Sequence, residues 1–434
     1  MDQVTTKKQS LKENQFSTTN NSNGPVAEMV RELLEYFTSL WWTCEPSFPT
    51  FKATLLPEEQ AQNEKRLDQL VSGLGFEFQH IPQTPEDRRV WQERLRPGMD
   101  NFLRMAFHLD QHQMDFIESS SIFEASQEFA NMARAFDPDI LGEDIYQAGR
   151  NVMSANLIQL LLDLPVKVTP SIFAYSMLYP YTDNYLDDPS ISSATKLDFN
   201  QRFERRLHGE EVPTQNQHEE MINQLLSMIE SQWKPKQFPQ VYESLLAIHS
   251  AQARSLGLIA PGASPFELDV LGITFEKGGT AVLADGYLAA GQLSPQQARM
   301  LFGYGLFTQL MDDLEDIKQD LSEGCMTLFS QTVPYWPLDN LTNRIFHFRR
   351  AIFDNLNSIN SKGTSTLKEL VSQCLDPLLI DIVGRAGNYY SRAYMREMEQ
   401  HISFRFAALK KQRKKLARQK IGIGKLVETI LLTS

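Results

Sequence analysis

The chain has 434 residues, of which 42% are hydrophobic and 22% charged, and it carries a net charge of −12. Such a length can bury a large core, and the composition is that of a globular protein rather than a disordered or fibrous one. The negative balance argues against nucleic acid as a partner, and no apolar run approaches the roughly 20 residues of a bilayer span.

In chain order, Met1–Asn23 is rich in Ser, Thr, Asn, Gln and Lys and lacks the apolar stretch of a secretory signal, so residues 1–25 read as a disordered tail. Apolar residues at i, i+3, i+4 and i+7 then predict helices over Val26–Trp42, Met99–Ile117, Ile122–Ala135, Ile145–Leu164 and Ser171–Leu186. The same period continues through Glu219–Trp233, Val241–Leu256, Phe266–Ala290 and Pro295–Asp320. It ends with Leu338–Ile359, Ser365–Val371, Leu378–Lys415 and Lys425–Leu432. Pro and Gly cluster between segments, as at Pro82–Pro85, Pro97-Gly98 and Pro235–Pro239. Ser294-Pro295 followed by Gln297 is a helix start, with serine as N-cap and proline at the first helical position. Alternating strand patterns are scarce. The expectation is an all-α protein with a helical extension over 26–98, a single large helical domain over 99–400 and a basic C-terminal helix or tail over 401–434. The three cysteines, Cys44, Cys325 and Cys374, are too far apart for a disulfide framework and point to a reducing cytoplasm.

The most informative stretch is Gln309–Asp320, which ends an otherwise apolar helix. Asp312, Asp316 and Asp320 recur at four-residue spacing, with Asp313 and Glu315 beside them. On one helix these acids form a stripe in which like charges at i,i+4 repel. Aspartate is a poor helix former, and negative charge near a helix C-terminus opposes the macrodipole. A solvated face has no need of that arrangement; a site for divalent cations does. A second acidic cluster, Asp183, Asp187 and Asp188, ends the apolar segment that begins at Ser171. Magnesium prefers oxygen ligands and is held by one or two carboxylates together with waters and phosphates.

Gln309-x-x-Asp312-Asp313-x-x-Asp316 resembles the second aspartate-rich motif of trans-prenyl diphosphate synthases. The triplet Asp312, Asp316, Asp320 is similar to the metal triad of class I terpene cyclases, and Asp183-x-x-x-Asp187 to the DxxxD of squalene and phytoene synthases. All belong to the class I isoprenoid synthase superfamily. The resemblance implies an all-α bundle in which two acidic helix ends face each other over a deep apolar pocket and hold Mg²⁺ around a prenyl diphosphate. It assigns Asp183, Asp187, Asp188, Asp312, Asp313, Asp316 and Asp320 to metal, with Asp183, Asp187, Asp312 and Asp316 catalytic. There is no plain DDxxD at the first site, which leaves the reaction open between cyclisation, condensation and chain elongation.

The diphosphate needs cations. Lys277, in Phe275-Glu-Lys-Gly-Gly-Thr280, resembles the helix-borne lysine of prenyl synthases, and Arg254 and Arg206 are further candidates. The carbocation needs aromatic faces, for which Phe173, Tyr179 and Phe307 are candidates, with Gln309 beside them in the pocket. The basic run Lys410–Lys420, followed by apolar Ile421–Leu432, is read as a peripheral membrane contact or a solvated helix end. The function expected is a Mg²⁺-dependent isoprenoid synthase of the cytoplasm; a non-catalytic helical protein that binds isoprenoid lipid or a partner is the alternative.

Overall fold

The computed structural model describes residues 24–82, 84–187, 190–259, 264–354 and 364–418. The N-terminal tail before Gly24, Asp188 of the first acidic cluster and the segment Lys425–Leu432 lie outside them. The described residues are all-α and contain no strand. The helices are α1 (Pro25–Thr43), α2 (Pro57–Glu77), α3 (Pro85–Phe107), α4 (Gln111–Ser119), α5 (Ile122–Phe136) and α6 (Gly142–Leu161). Next come α7 (Pro170–Asp187), α8 (Ser193–Leu207), α9 (Gln217–Gln232), α10 (Pro239–Ser255), α11 (Val270–Ala290) and α12 (Pro295–Glu315). The last are α13 (Ile317–Glu323), α14 (Leu328–Thr332), α15 (Asp339–Asp354), α16 (Thr364–Arg385), α17 (Arg392–Glu399) and α18 (Phe406–Arg418).

Helix α11 is the centre of the bundle and packs against α1, α6, α7, α10 and α12. It is buried over most of its length, as its run of small and apolar residues requires. Two glycines fix its approach to α12. A Cβ at Gly278 would strike the carbonyl oxygen of Gly305, and a Cβ at Gly305 would strike that of Gly278. Backbone therefore meets backbone at this crossing. Helix α11 runs unbroken through Gly278-Gly279, so the pair serves close packing. Helix α12 starts as its sequence prescribes, with Ser294 and Gln297 capping one another's backbone amides and Pro295 in the first turn.

Five contacts orient the neighbours. The Ser171 hydroxyl donates to the Leu288 carbonyl at 2.9 Å, and the Tyr175 hydroxyl lies 3.5 Å from the Ala281 carbonyl, so α7 runs antiparallel to α11. Helix α12 is antiparallel as well: Leu301 abuts Gly286, and Thr274 faces Asp313. Both acidic segments therefore emerge at the same end of the bundle, around the N-terminus of α11. Arg254 near the end of α10 pairs with Glu276 near the start of α11, which brings α10 out at that end too.

Several expectations need correction. Helix α1 is part of the main core: Phe37 and Trp41 pack on Phe302, Phe275 and Phe348. The helix expected over Met99–Ile117 is two, separated at His108, whose φ of 55° closes α3, and Asp110 caps α4. Prolines 97 and 377 sit inside helices rather than between them, whereas Pro180 lies within its helix as expected. The segment Leu378–Lys415 is broken into the end of α16, a short 3-10 turn, α17 and α18. Helices α2 and α8 were not expected; α2 buries Gln60, Leu67, Val71 and Gly75, and its apolar period, Leu67, Leu70, Val71 and Leu74, begins only after a long charged first half.

The described part of the basic C-terminal segment is tied down by acids. Arg405 binds Glu64, Lys415 binds Asp68 at 3.1 Å, and Arg413 binds Asp381. Phe404 joins Leu67, Val71 and Ala106 in a satellite core beneath it. These three cations serve intrachain pairing. No described helix is long and apolar enough to cross a membrane, and the three cysteines are unbridged.

Because the Gly278–Gly305 contact is between backbones that cannot rotate away, Gly278→Ala or Gly305→Ala should destabilise the fold by about 3 kcal/mol or more. Gly149→Ala, where a Cβ meets nothing, should be neutral or slightly stabilising by comparison. Chemical denaturation of the three variants measures this.

Candidate functional site

At the end of α12 the acidic stripe is present but bent. The helix stops at Glu315, Asp316 has φ −93° and ψ 7°, and α13 begins at Ile317. The amides of Asp316 and Asp320 still reach the carbonyls of Asp312 and Asp316, each at 2.9 Å, so the turn is preserved while the axis is interrupted. Asp312 and Asp316 are exposed, Asp320 is half-buried and Asp313 is buried. The Gln309 amide donates to Asp313 at 2.8 Å, and the Thr274 hydroxyl lies 3.5 Å from its other oxygen. Gln309 thus anchors a carboxylate. The Thr327 hydroxyl lies 3.3 Å from Asp320.

All four aspartates hold their protons more tightly than usual. The leading cause in each is removal from water, reinforced by neighbouring acids; Asp313 is pushed up to about 7 and Asp320 to about 6. Lys277 opposes this at Asp312, Asp313 and Asp320. Its ammonium makes no ion pair with any described carboxylate. It is therefore a cation near the acids of α12 that remains available to a ligand.

The other predicted cations are differently placed. Arg254 is at the acidic end but engaged by Glu276. Arg206 binds Glu230 through both guanidinium nitrogens, the longer contact being 2.9 Å. It lies close to Tyr242 near the start of α10, the end of the bundle away from the acids. Arg206 is therefore excluded from the acidic cluster. Sequence reasoning missed Arg150 on α6, which pairs with Asp312 at 3.0 Å, and it did not connect Arg385 of α16 with Glu315, its partner here.

The backbone of α7 carries Asp183 and Asp187 to the same end, but their side chains, like Asp188, lie outside the described residues. Among the described residues no three His, Cys, Asp or Glu side chains are grouped to hold a metal ion.

The aromatic candidates divide. Phe173 packs against Phe129 and Phe136, and Phe307 against Phe353; both are buried in the core. Tyr179 does line a cavity, with Tyr175, Leu178 and Thr182 of α7, Phe203 and Leu207 of α8, and Leu245, Ile248, His249 and Gln252 of α10. Its volume is about 40 Å³, room for a few waters and far below the roughly 300 Å³ at which ligand pockets begin. The void that these described residues line lies beside α7, between it, α8 and α10.

A buried polar cluster escaped the sequence reading altogether. Asp285, in the interior of α11, is 2% exposed. The Asn151 amide of α6 spans its carboxyl and the Ser176 hydroxyl of α7, each at 3.0 Å. Tyr304 of α12 lies close by, and Ser154 bonds to it. A lone Asp in an apolar run carries no periodic signal, so only the fold could find it.

No family model matches the chain, and no curated protein matches it significantly.

Burial pushes the Asp285 carboxyl from its ordinary 3.8 up to about 8, so the folded state keeps this proton where the unfolded state has lost it. Stability must then fall by up to about 1.4 kcal/mol for each pH unit between the two values and level off above. The melting-temperature advantage of Asp285→Asn over the parent should accordingly grow from pH 5 to pH 8 and then plateau; an advantage constant with pH would contradict the assignment.

Proposed function

We propose that the chain is a magnesium-dependent enzyme that ionises an allylic prenyl diphosphate and releases diphosphate, the reaction class implied by the likeness of its acidic clusters to those of class I isoprenoid synthases. One observation carries the reading. The acidic ends of α7 and α12, far apart in sequence, emerge at one end of the bundle around the N-terminus of α11, where Lys277 has no described carboxylate as partner.

The donor set fits a hard cation. It is all oxygen, its aspartates are crowded enough to retain protons, and magnesium asks for only one or two carboxylates beside water and phosphate. Asp312, Asp316 and Asp320, with Asp183, Asp187 and Asp188 opposite, would hold it. When bound, magnesium neutralises charge building on the leaving diphosphate. Lys277 would bind phosphate oxygens directly. Gln309 and Thr274 fix Asp313 behind the exposed acids. Tyr175, Tyr179 and Phe203 line the void beside α7 and would turn their faces to an allylic cation, each worth on the order of 1–2 kcal/mol. Opening that void to the size of a prenyl chain requires the side chains of its walls to swing aside. Capture of the cation within the chain, or by a second prenyl chain, both follow from the same ionisation; capture by isopentenyl diphosphate would make the enzyme a chain elongator.

Purified protein given geranyl, farnesyl or geranylgeranyl diphosphate with Mg²⁺ should release diphosphate. EDTA should abolish release, and Asp312→Ala should lower it by about 100-fold. Arg206→Ala, remote from the acids, should leave it unchanged. Addition of isopentenyl diphosphate followed by mass analysis separates elongation from cyclisation and condensation. No release with any of these diphosphates, alone or with isopentenyl diphosphate, would favour a non-catalytic isoprenoid-binding protein.

A further inference from the structure

His249 is the one imidazole among the described residues lining the cavity between α7, α8 and α10. Its ring stands edge-on to Phe203 with centroids 5.5 Å apart, and no described group hydrogen-bonds to either of its nitrogens. Burial lowers its affinity for a proton, as does His208 at the C-cap of α8, while Glu204 of α8 opposes them, the burial being the largest influence. The ring is thus a neutral base without a described hydrogen-bond partner, in a mainly apolar void whose other polar lining is Thr182, Gln252 and the two tyrosine hydroxyls.

Its depth is significant. Helices α7 and α10 both run toward the acidic end, and the cavity follows them, from Tyr175 and Leu245 up to Thr182 and Gln252. Arg254, whose partner Glu276 neighbours Lys277, is five residues beyond His249 on α10. At 1.5 Å per residue the imidazole sits roughly 7–8 Å below the level of that pair. A prenyl chain whose diphosphate rests on Lys277 and the acids and whose tail enters this cavity would carry its first two isoprene units past that depth.

We propose that His249 is the base that ends the reaction by taking a proton from the carbocation. This rests on the ionisation reading above. A C–H bond adjacent to the cationic carbon breaks, its electron pair becomes a new carbon–carbon double bond, and the proton passes to the free ring nitrogen. The hydrocarbon leaves neutral and the imidazolium returns its proton to water once the site reopens. Phe203 positions the ring, and Tyr175 and Tyr179 hold the cation within its reach.

The test compares the parent protein with His249→Gln, which keeps a polar side chain of similar reach but cannot accept the proton. Both are incubated with Mg²⁺ and the allylic diphosphate that the parent turns over, diphosphate is counted, and organic products are separated by gas chromatography with mass detection. His249→Gln should release diphosphate within about threefold of the parent rate while its share of olefin drops at least about tenfold. Prenyl alcohol from capture by water should take the olefin's place. An olefin share equal to the parent's would overturn the role of His249 and leave the ionisation reading intact. Failure of the parent itself to release diphosphate would overturn that reading and this inference with it. Should His249→Gln not fold, as judged by circular dichroism, His249→Asn supplies the same comparison.

Discussion

The backbone contact between α11 and α12 at Gly278 and Gly305 is the constraint from which the acidic end of the molecule follows. It leaves no room for side chains at the crossing, so the register of the two helices is set by main-chain atoms alone. Given that register, Thr274 must face Asp313, and Lys277 must lie within electrostatic reach of Asp312, Asp313 and Asp320. The surrounding core, from Trp41 and Phe348 on one side to Tyr287 and Leu301 within the pair, holds the crossing in place.

The acids themselves work against stability. Their like charges repel, they sit at the end of a helix whose dipole disfavours them, and desolvation raises the proton affinity of each. Arg150 and Arg385 offset part of this through Asp312 and Glu315, at exposed sites where such pairs contribute little. A cluster that costs the fold stability and is only partly compensated by its own cations is a reasonable place for a function. That consideration applies with equal force to Asp285, whose carboxyl is neutralised by burial rather than by a partner.

Fold class was legible because the apolar period is helical wherever a segment has one wet and one dry face. It misled where that contrast is weak. Helix α2 confines its apolar residues to its second half, after a run of charged and amide side chains, and α8 carries Phe199, Phe203 and Leu207 within a run of basic and acidic residues. Prolines 97 and 377 read as boundaries although tertiary packing carries helices across them. At the candidate site the spacing of Asp312, Asp313, Asp316 and Asp320 was visible, and so was Lys277. The interruption at Asp316 was not, because it depends on local dihedral angles. Arg150, Asn151 and His249 were invisible for another reason: each gains its meaning from a residue on a different helix, and no local pattern announces such a meeting. Arg206 and Phe173 show the converse, residues of suitable chemistry that the fold commits to Glu230 and to the core.

The account stands on two acidic helix ends sharing one cluster of hard cations. The most direct measurement is an anomalous-scattering map from crystals grown with Mn²⁺ and inorganic diphosphate. Peaks bridging the carboxylates of Asp312 or Asp316 and those of Asp183 or Asp187, with diphosphate against Lys277, are the predicted result. Manganese bound at one helix end alone, or diphosphate seated away from Lys277, would contradict it.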